Sequence, residues 1–489
     1  MLYFTLEDMM KNTVNIFYWL FSCWAAIAQS PSEIINTWAD GEPWKHAHVG
    51  IALHEVSSGN LVAGYNHDKC LVPASSLKVL SSFITLDLLG KDFSYKTLLA
   101  YDGLITDSIL RGNVHLIGSG DPSLGSRRYA DKLNFSELPS YLALQIAKAG
   151  IKKIEGKVIC DESYFDSFPI APSWQWNDLG SNFACGAWGI NVNENEYDLW
   201  FNTQFSIGDT AALLTISPDI PNLLLSNEVI IDEENTGDNT YIFGGPYDYN
   251  KRIVGTLPKD REAFRIKGSI PDPPKLLAQS LLHQLNHLGI EAADFAVVSR
   301  PGTRPDLVGI DTLESMPLAD LVRSANFHSI NLYCESFLKT LGAKFGSRGA
   351  GSEGITVIKN YLSAQGLDIT PLHMEDGSGL SARNYVSPNI LSSFLAKFAQ
   401  KQSPEFTVSF LPQAGSQGTV RRMLRNSDAL GHVWMKSGSM NKIISYTGML
   451  RTQKGSWYSF SIMINAFQMP GLAARKSIEE LLSQLYTHL

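Results

Sequence analysis

The stretch PASSLKVL, residues 73–80, decides the fold class of this chain of 489 residues. Apolar residues follow it at helical spacing as far as Gly90, and Pro73 stands just before the first turn. This pattern predicts a mostly buried helix. Ser75 and Lys78 lie at its beginning, so the lysine amine is one helical turn from the serine hydroxyl. The pair is therefore a candidate nucleophile and base.

Two further motifs gain weight from their order along the chain. Ser-x-x-Lys alone is a weak signal, because it recurs at Ser336-x-x-Lys339 and Ser439-x-x-Lys442. Ser-x-Asn is weaker still and occurs at Ser329-Ile330-Asn331, Ser387-Pro388-Asn389 and Ser439-Met440-Asn441. The triplet Lys436-Ser437-Gly438 occurs once, on a predicted strand. A serine-lysine pair at a helix start, then Ser329 and Asn331 among helices, then a Lys-Ser-Gly strand together form an ordered set.

Alternating patterns at both ends of the chain indicate one antiparallel sheet. Residues 47–66 alternate around a Ser-Ser-Gly-Asn turn, which predicts a hairpin. Helical periodicity runs through residues 318–341. Three strands are predicted near the C-terminus at residues 433–436, 443–451 and 457–465, followed by a helix at 472–486. These elements predict an α+β domain in which helices cover an antiparallel sheet.

The segment between the N-terminal and C-terminal groups of predicted elements has a different sequence pattern. From about residue 95 to 310, short strand-like runs alternate with Pro, Gly, Asn and Asp, which predicts a large β-rich insertion of two subdomains. The chain is also too long for one ordinary core. We therefore predict a discontinuous catalytic domain at residues 29–94 and 311–489, interrupted by the inserted region at 95–310.

The beginning of the chain predicts export. Residues 15–28 are apolar and end in a small-x-small sequence, so we predict a signal peptide at 1–28 that is cleaved after Ala28. Two acidic residues upstream are unusual in such a leader and favour Met10 as the translation start. The alternatives are an uncleaved anchor helix and a lipoprotein signal that ends at Cys23.

Composition narrows the range of partners. The formal net charge is −8 and the chain contains no run of Lys and Arg, so we expect no nucleic acid partner. Beyond the leader, four cysteines are scattered without a Cys-x-x-Cys spacing: Cys70, Cys160, Cys185 and Cys334. The eleven histidines show no ligand spacing either, so we expect neither a metal nor a cofactor. Scattered cysteines of this kind are more often buried singly than paired.

The three motifs in order reproduce the signature of penicillin-binding proteins and serine β-lactamases. The 254 positions between Ser75 and Ser329 resemble the spacing in the D-alanyl-D-alanine carboxypeptidase/endopeptidase family S13, also called PBP4-like, which inserts extra domains there. Further blocks resemble this family along the mature chain: GDPSL at 120–124, APSWQWND at 171–178, DGSGLS at 376–381, and LPQAG at 411–415 with Gly418-Thr419. The sequence departs from the family pattern at two positions, and both departures are small. Lys-Ser-Gly stands where Lys-Thr-Gly is usual, and Ile330 replaces a polar residue.

The resemblance implies a serine-type D-Ala-D-Ala carboxypeptidase that cleaves peptidoglycan stem peptides through an acyl-enzyme on Ser75 and is inhibited by β-lactams. A serine alone is too weak an acid at neutral pH, so it needs an adjacent base. Lys78 is the predicted base, held neutral by burial and by the charge of Lys436. The sequence does not indicate whether carboxypeptidase or endopeptidase activity dominates, and it does not indicate the oligomeric state.

The remaining motif residues take roles that the resemblance implies. Ser329 would pass a proton to the departing D-alanine, and Asn331 would hold the substrate amide. Lys436 and Ser437 would bind the terminal carboxylate, and Gly438 would permit close approach of the substrate. The backbone NH groups of Ser75 and Ser439 would form the oxyanion hole.

Two charged residues are further candidates for substrate binding. Asp121, in the GDPSL block, would contact the amine of a diamino-acid side chain, and the competing interpretation is a turn aspartate beside a proline. Arg383 would face a carboxylate, although it stands one residue away from the commonest family spacing. Trp174 and Trp176 are expected to pack rather than to stack on a ligand.

Two other classes of function compete with this one. A serine β-lactamase shares the three motifs, but its Glu-x-x-Leu-Asn element is missing, since Glu196-x-x-Leu199 is followed by Trp200. A module that binds muropeptides without catalysis is the second alternative, and the intact nucleophilic residues argue against it.

Overall fold

The computed structural model describes residues 29–489, so the predicted signal peptide and the Met10 start lie outside the described residues. The helices are α1 Pro31–Ala39, α2 Lys78–Leu89, α3 Leu138–Lys148, α4 Pro273–His287, α5 Leu318–His328, α6 Asn331–Phe345, α7 Gly351–Ala364, α8 Pro388–Gln402, α9 Pro404–Val408 and α10 Gly471–His488. No helix within residues 29–489 is long and apolar enough to cross a membrane.

The strands follow the same chain order. They are β1 His48–Glu55, β2 Leu61–Tyr65, β3 Lys96–Tyr101, β4 Leu104–Thr106, β5 Ile109–Arg111, β6 Val114–Ile117, β7 Lys153–Ile154, β8 Val158–Asp161, β9 Glu196–Asn202, β10 Ala212–Ser217, β11 Leu224–Asp232, β12 Asn239–Phe243, β13 Asn250–Pro258, β14 Phe264–Ser269, β15 Glu291–Ala292, β16 Phe295–Val298, β17 Val308–Glu314, β18 Leu372–His373, β19 Tyr385–Val386, β20 Val433–Met440, β21 Ile443–Arg451 and β22 Trp457–Asn465.

One antiparallel sheet, ordered β2-β1-β22-β21-β20, joins the two ends of the chain. Successive side chains of β22 point to opposite faces, so Ile462 packs in one core and Met463 in another. The first core is shared with α1 and α10, and the second with α2, α5, α6 and α8. The predicted α+β architecture, with helices on an antiparallel sheet, is confirmed.

Four of the helices within residues 29–489 begin with the same capping pattern. A polar residue caps the helix and a proline occupies its first position, as at Ser30-Pro31, Asp272-Pro273, Ser387-Pro388 and Ser403-Pro404. In each case the cap side chain accepts a hydrogen bond from a backbone NH of the first turn. A capped NH and a residue that has no NH both remove donors that the helix leaves unpaired.

The region between α2 and α5 is rich in strands, as the sequence predicts. A five-stranded sheet ordered β16-β8-β6-β3-β17 packs against α4, and a three-stranded sheet ordered β11-β13-β12 leaves β12 at its edge. Both contribute to a separate buried core. The predicted boundary at residues 310 and 311 falls inside β17, which pairs with β3. The domain limits themselves stay a prediction.

Two predicted helices differ in detail from the observed ones. Residues Ala74–Leu77 form a 3-10 turn, and α2 starts at Lys78, so Ser75 lies on the tighter turn that precedes the helix. The predicted helical stretch 318–341 is broken at Ser329, which adopts left-handed backbone angles of φ 58° and ψ 41°. This break separates α5 from α6 and brings a motif residue to the junction.

Candidate active site

Ser75 and Lys78 form a direct pair at the start of α2. The Lys78 Nζ donates to Ser75 Oγ at 2.8 Å, to Asn331 Oδ1 at 2.5 Å and to the carbonyl of Ser378 at 2.7 Å. Lys78 is fully buried, while Ser75 lines an open cleft. The amine is therefore fixed by three oxygens, and one of them is the hydroxyl it would have to deprotonate.

The second motif lies at the break between α5 and α6. Left-handed backbone at Ser329 is uncommon for a residue with a side chain, and it turns the chain so that Ser329 and Asn331 both line the cleft. Ser329 Oγ accepts from Lys436 Nζ at 2.9 Å. The Asn331 Nδ2 donates to the carbonyl of Phe183 at 2.6 Å, so this amide ties the inserted region to the cleft.

The third motif lies on β20, the edge strand of the sheet. Lys436 is buried and also donates to the carbonyl of Ser437 at 2.6 Å. The Ser437 hydroxyl lies 2.7 Å from the hydroxyl of Thr419. Thr419 belongs to a block quoted from the sequence, but no role was predicted for it there. The two hydroxyls and the Lys436 amine are a fitting set of donors for a carboxylate.

Gly438 brings β20 against the start of α2. A Cβ atom at this position would lie 2.8 Å from the backbone nitrogen of Ser75, 2.7 Å from the carbonyl oxygen of Pro73 and 2.4 Å from Ser445 Oγ. Ser445 Oγ in turn donates to the Pro73 carbonyl at 2.5 Å. Glycine is thus required here for close packing, and the strand edge lies directly beside the NH group of Ser75.

The two buried lysines repel each other. Burial lowers the pKa of Lys78, and the Cys334, Asp376 and Glu335 side chains offset part of that effect. Burial and the charge of Lys78 together hold the pKa of Lys436 well below its ordinary value. This repulsion is mutual, so a charge on either lysine disfavours a proton on the other. The site therefore favours one positive charge rather than two.

Sequence reasoning missed a pair of buried carboxylates behind Lys78. Glu335, one turn beyond Asn331 on α6, accepts hydrogen bonds from the NH groups of Gly377 and Ser378. Burial raises the pKa of Glu335 to about 7. Asp376 accepts from the NH groups of Gly379 and Ser381. The two carboxylates hold the loop whose Ser378 carbonyl binds Lys78. In the sequence, their position near motif residues was the only indication of this role.

Asp121 and Arg383 do not line the cleft with Ser75. Asp121 is buried, and its carboxylate accepts from the NH and the hydroxyl of Ser123. Burial raises the pKa of Asp121 to about 6. Arg383 is exposed, and its neighbours Leu380 and Ala382 reach the cleft instead. For Asp121 these contacts favour the turn interpretation over contact with a substrate amine.

The cleft itself has a volume of about 750 Å³ and is lined from both halves of the chain. The inserted region supplies two carboxylates, two aromatic rings, three amides and a hydroxyl. These residues are Gln175, Asn177, Asp178, Phe183, Asp238, Asn239, Thr240 and Tyr241. The half-buried Asp178 has a pKa raised by burial. None of these residues was singled out from the sequence as a ligand.

The tryptophans and cysteines have distinct environments. Trp174 is buried and its Nε1 donates to Asp376 at 2.9 Å, whereas Trp176 is 69% exposed. Trp174 therefore packs in the interior, whereas Trp176 packs against Phe243 on one side and exposes most of its surface. The four cysteines within residues 29–489 carry free thiols, and Cys70 alone among them is exposed. Over the same residues, no group of three or more His, Cys, Asp or Glu side chains is placed to hold a metal.

The fold and this constellation define a serine enzyme of the penicillin-binding-protein class. The profile of the D-Ala-D-Ala carboxypeptidase 3 (S13) family matches residues 32–486. The chain belongs to this family, which confirms the family and enzyme class predicted from the motifs.

Individual relatives agree with that assignment. The chain is 24% identical over 433 residues to the D-alanyl-D-alanine carboxypeptidase DacB of Haemophilus influenzae, covering 88% of each chain. The crystal structure of penicillin binding protein 4 from the same organism shares the fold, with a TM-score of 0.78, 24% identity and coverage of 93% of this chain and 98% of that one. A structure of that protein complexed with a β-lactam matches with a TM-score of 0.74 and 22% identity, covering 94% and 98%.

Proposed function

We propose that this enzyme removes the terminal D-alanine from peptidoglycan stem peptides through an acyl-enzyme on Ser75. The observation that carries the proposal is the contact between the buried Lys78 amine and the Ser75 hydroxyl at the floor of an open cleft. A desolvated amine with a lowered pKa is a suitable base for a serine. Ser75 Oγ attacks the carbonyl carbon of the penultimate D-alanine, and its proton passes to Lys78. The bond from that carbon to the nitrogen of the terminal D-alanine breaks, and water then hydrolyses the ester on Ser75.

The leaving D-alanine needs a proton and its carboxylate needs a cation. Lys436, Ser437 and Thr419 supply charge and hydroxyl donors for the carboxylate, and Ser329 lies between Lys436 and the cleft to relay a proton to the departing nitrogen. The NH groups of Ser75 and Ser439 are the proposed oxyanion hole. Each such donor is typically worth about 3 kcal/mol in the transition state.

Substrate binding would change which lysine carries the positive charge. A carboxylate beside Lys436 stabilises its ammonium form, and that charge in turn disfavours a proton on Lys78. Binding of the correct substrate thus releases the base that attacks. A peptide amide, which lacks the terminal negative charge, would leave the proton on Lys78 and react slowly.

A diamino-acid side chain in the stem peptide has a candidate partner in Asp178. It is an acidic residue of the inserted region that lines the cleft together with Ser75. Asp178 replaces the predicted Asp121 in this proposal. Asn331 is the proposed partner of the stem-peptide amide. Its Nδ2 would give up the hydrogen bond to the Phe183 carbonyl and donate to the substrate instead.

The same chemistry predicts covalent inhibition by β-lactams. A β-lactam presents a reactive amide and a carboxylate, and its amine stays tethered after acylation. The Haemophilus influenzae relative is described as a penicillin binding protein and was solved with a β-lactam. The apolar leader predicted at residues 15–28 supports export, so we place the enzyme at the wall, in the periplasm.

Labelling with a fluorescent penicillin tests the proposal. The purified mature protein, Ser75→Ala and Lys78→Ala are compared on a denaturing gel, and D-alanine release from a pentapeptide is measured in parallel. We expect a covalent band and D-alanine release with the wild-type protein alone. Rapid penicillin turnover without D-alanine release would indicate a β-lactamase instead. Neither labelling nor release would indicate a binding module, and wild-type labelling of Lys78→Ala would remove that residue as the base.

A further inference from the structure

An exposed aromatic patch extends from the mouth of the cleft onto the inserted region. We define it by Trp176, Tyr241 and Phe243. Trp176 is 69% exposed and Tyr241 is 48% exposed. The half-buried Phe243 packs against Trp176, with ring centroids 4.5 Å apart and ring planes tilted by 34°. Single exposed apolar side chains are ordinary, but a contiguous group beside a cleft is typical of a binding surface.

The patch is continuous with the catalytic cleft. Gln175 and Asn177, on either side of Trp176, line the cleft together with Ser75. Tyr241 lines it as well, and Phe243 lies two positions further along β12, on the same face of the strand. A ligand that extends out of the cleft past Tyr241 therefore meets the stacked rings next.

The patch is also held rigidly relative to Ser75. Gly180, in the segment that carries Trp176, packs so closely on β12 that a Cβ there would lie 1.9 Å from the carbonyl oxygen of Ile242. Trp174, in the same segment, donates to Asp376 Oδ2 at 2.9 Å. Asp376 in turn holds the loop beside Lys78. An exposed tryptophan on a fixed segment loses little conformational freedom when a ligand binds.

We propose that the aromatic patch binds a sugar ring of the glycan to which the stem peptide is attached. The inference rests on the proposed function. The stem peptide consists of alanine, acidic and diamino residues, and it offers no large apolar side chain to an aromatic surface. The sugar at its other end has a flat face of C–H groups, and its hydroxyl and acetamido groups match the amides of Gln175, Asn177 and Asn239. Four extended residues span up to roughly 14 Å, so the sugar would lie within that distance of the bond that is cleaved.

Two substrates that share one pentapeptide test the proposal. D-alanine release is measured from the free pentapeptide and from the disaccharide-pentapeptide, using the wild-type protein, Trp176→Ala and Trp176→Phe. We expect Trp176→Ala to lower kcat/KM about three- to tenfold for the disaccharide form and less than twofold for the free peptide, with partial recovery in Trp176→Phe. Phe345→Ala is the matched control, because this 49% exposed ring lies about 21 Å along α6 from Asn331.

Binding measured by titration calorimetry on Ser75→Ala separates this proposal from the proposed function. We expect tighter binding of the disaccharide form than of the free peptide, and loss of that difference when Trp176→Ala is added. Equal binding of the two forms overturns the sugar site, whether or not the wild-type protein is active. Equal losses of kcat/KM for both forms also overturn it and assign the patch to the peptide. Absence of catalysis with a retained binding difference overturns the proposed reaction but keeps the site.

Discussion

Gly438→Ala tests whether close approach of β20 to Ser75 is needed for acyl transfer. The added Cβ would lie 2.8 Å from the Ser75 nitrogen, so an ordinary contact of 3.4 Å requires a shift of about 0.6 Å. Gly438 does not have a positive φ, so the substitution adds crowding without backbone strain. A displacement of this size at a proposed oxyanion donor is expected to lower the acylation rate about 10- to 100-fold.

Acylation is followed with a fluorescent penicillin under single-turnover conditions, and folding is followed by thermal unfolding. Gly302→Ala is the matched control, since nothing lies within 4 Å of the Cβ it would add. The double variant Gly438→Ala/Ser445→Ala removes the hydroxyl that crowds the new methyl group but leaves the contact with Ser75. We expect the double variant to stay slow. Acylation within threefold of the wild-type rate in either Gly438 variant would refute the reasoning.

Three further predictions follow from the buried groups. Glu335→Gln moves the acidic limb of the pH profile of kcat/KM to lower pH, because the Glu335 charge raises the pKa of Lys78 and the proposed reaction needs Lys78 neutral. The exposed Glu405→Gln is the control and leaves the limb in place. An unmoved limb in Glu335→Gln would contradict the coupling. Asp121→Asn raises the melting temperature at pH 8 but not near pH 4. The pKa of Asp121 in the folded protein is about 6, above its ordinary value of 3.8. The stability that Asp121 contributes is therefore complete below pH 3.8 and is lost as the pH rises through 6, by about 3 kcal/mol. Equal pH dependence of the melting temperature in both proteins would count against this. Iodoacetamide modifies Cys70 first among the four cysteines of residues 29–489, as followed by mass spectrometry. The other three are buried, and burial raises the pKa of Cys334 to about 11. Equal labelling of Cys334 in the native protein would show an open core.

Local patterns explain what the sequence predicted well. Ser75 and Lys78 are three residues apart, so their contact depends only on a helical turn, and the hairpin at residues 47–66 depends only on alternation around a turn. The three motifs were recognisable because each is short and their order along the chain is specific. The terminal strands and the last helix were visible for the same reason.

Contacts between distant segments explain what was missed. Glu335 meets Gly377 across 42 positions and Asn331 meets Phe183 across 148, and no periodicity reports such pairs. Asp178 lines the cleft and Asp121 does not, and this difference depends on which of the two loops turns toward Ser75. That is decided by packing of the inserted region and not by the residues around either aspartate.

Because β22 lies between β1 and β21, the central sheet cannot form until the C-terminal strands have been synthesised. Ile51 pairs with Ile462, so the hairpin formed by the earliest described strands cannot join its sheet until almost the whole chain is available. Such long-range pairing is slow, because the intervening chain must first be brought together. A chain that emerges from its N-terminus onward would carry Ser75 and Lys78 long before it carries Lys436 and Gly438. Activity would then begin only when nearly the whole chain is available, and a fragment that ends before β22 would carry Ser75 and Lys78 without the sheet that supports them.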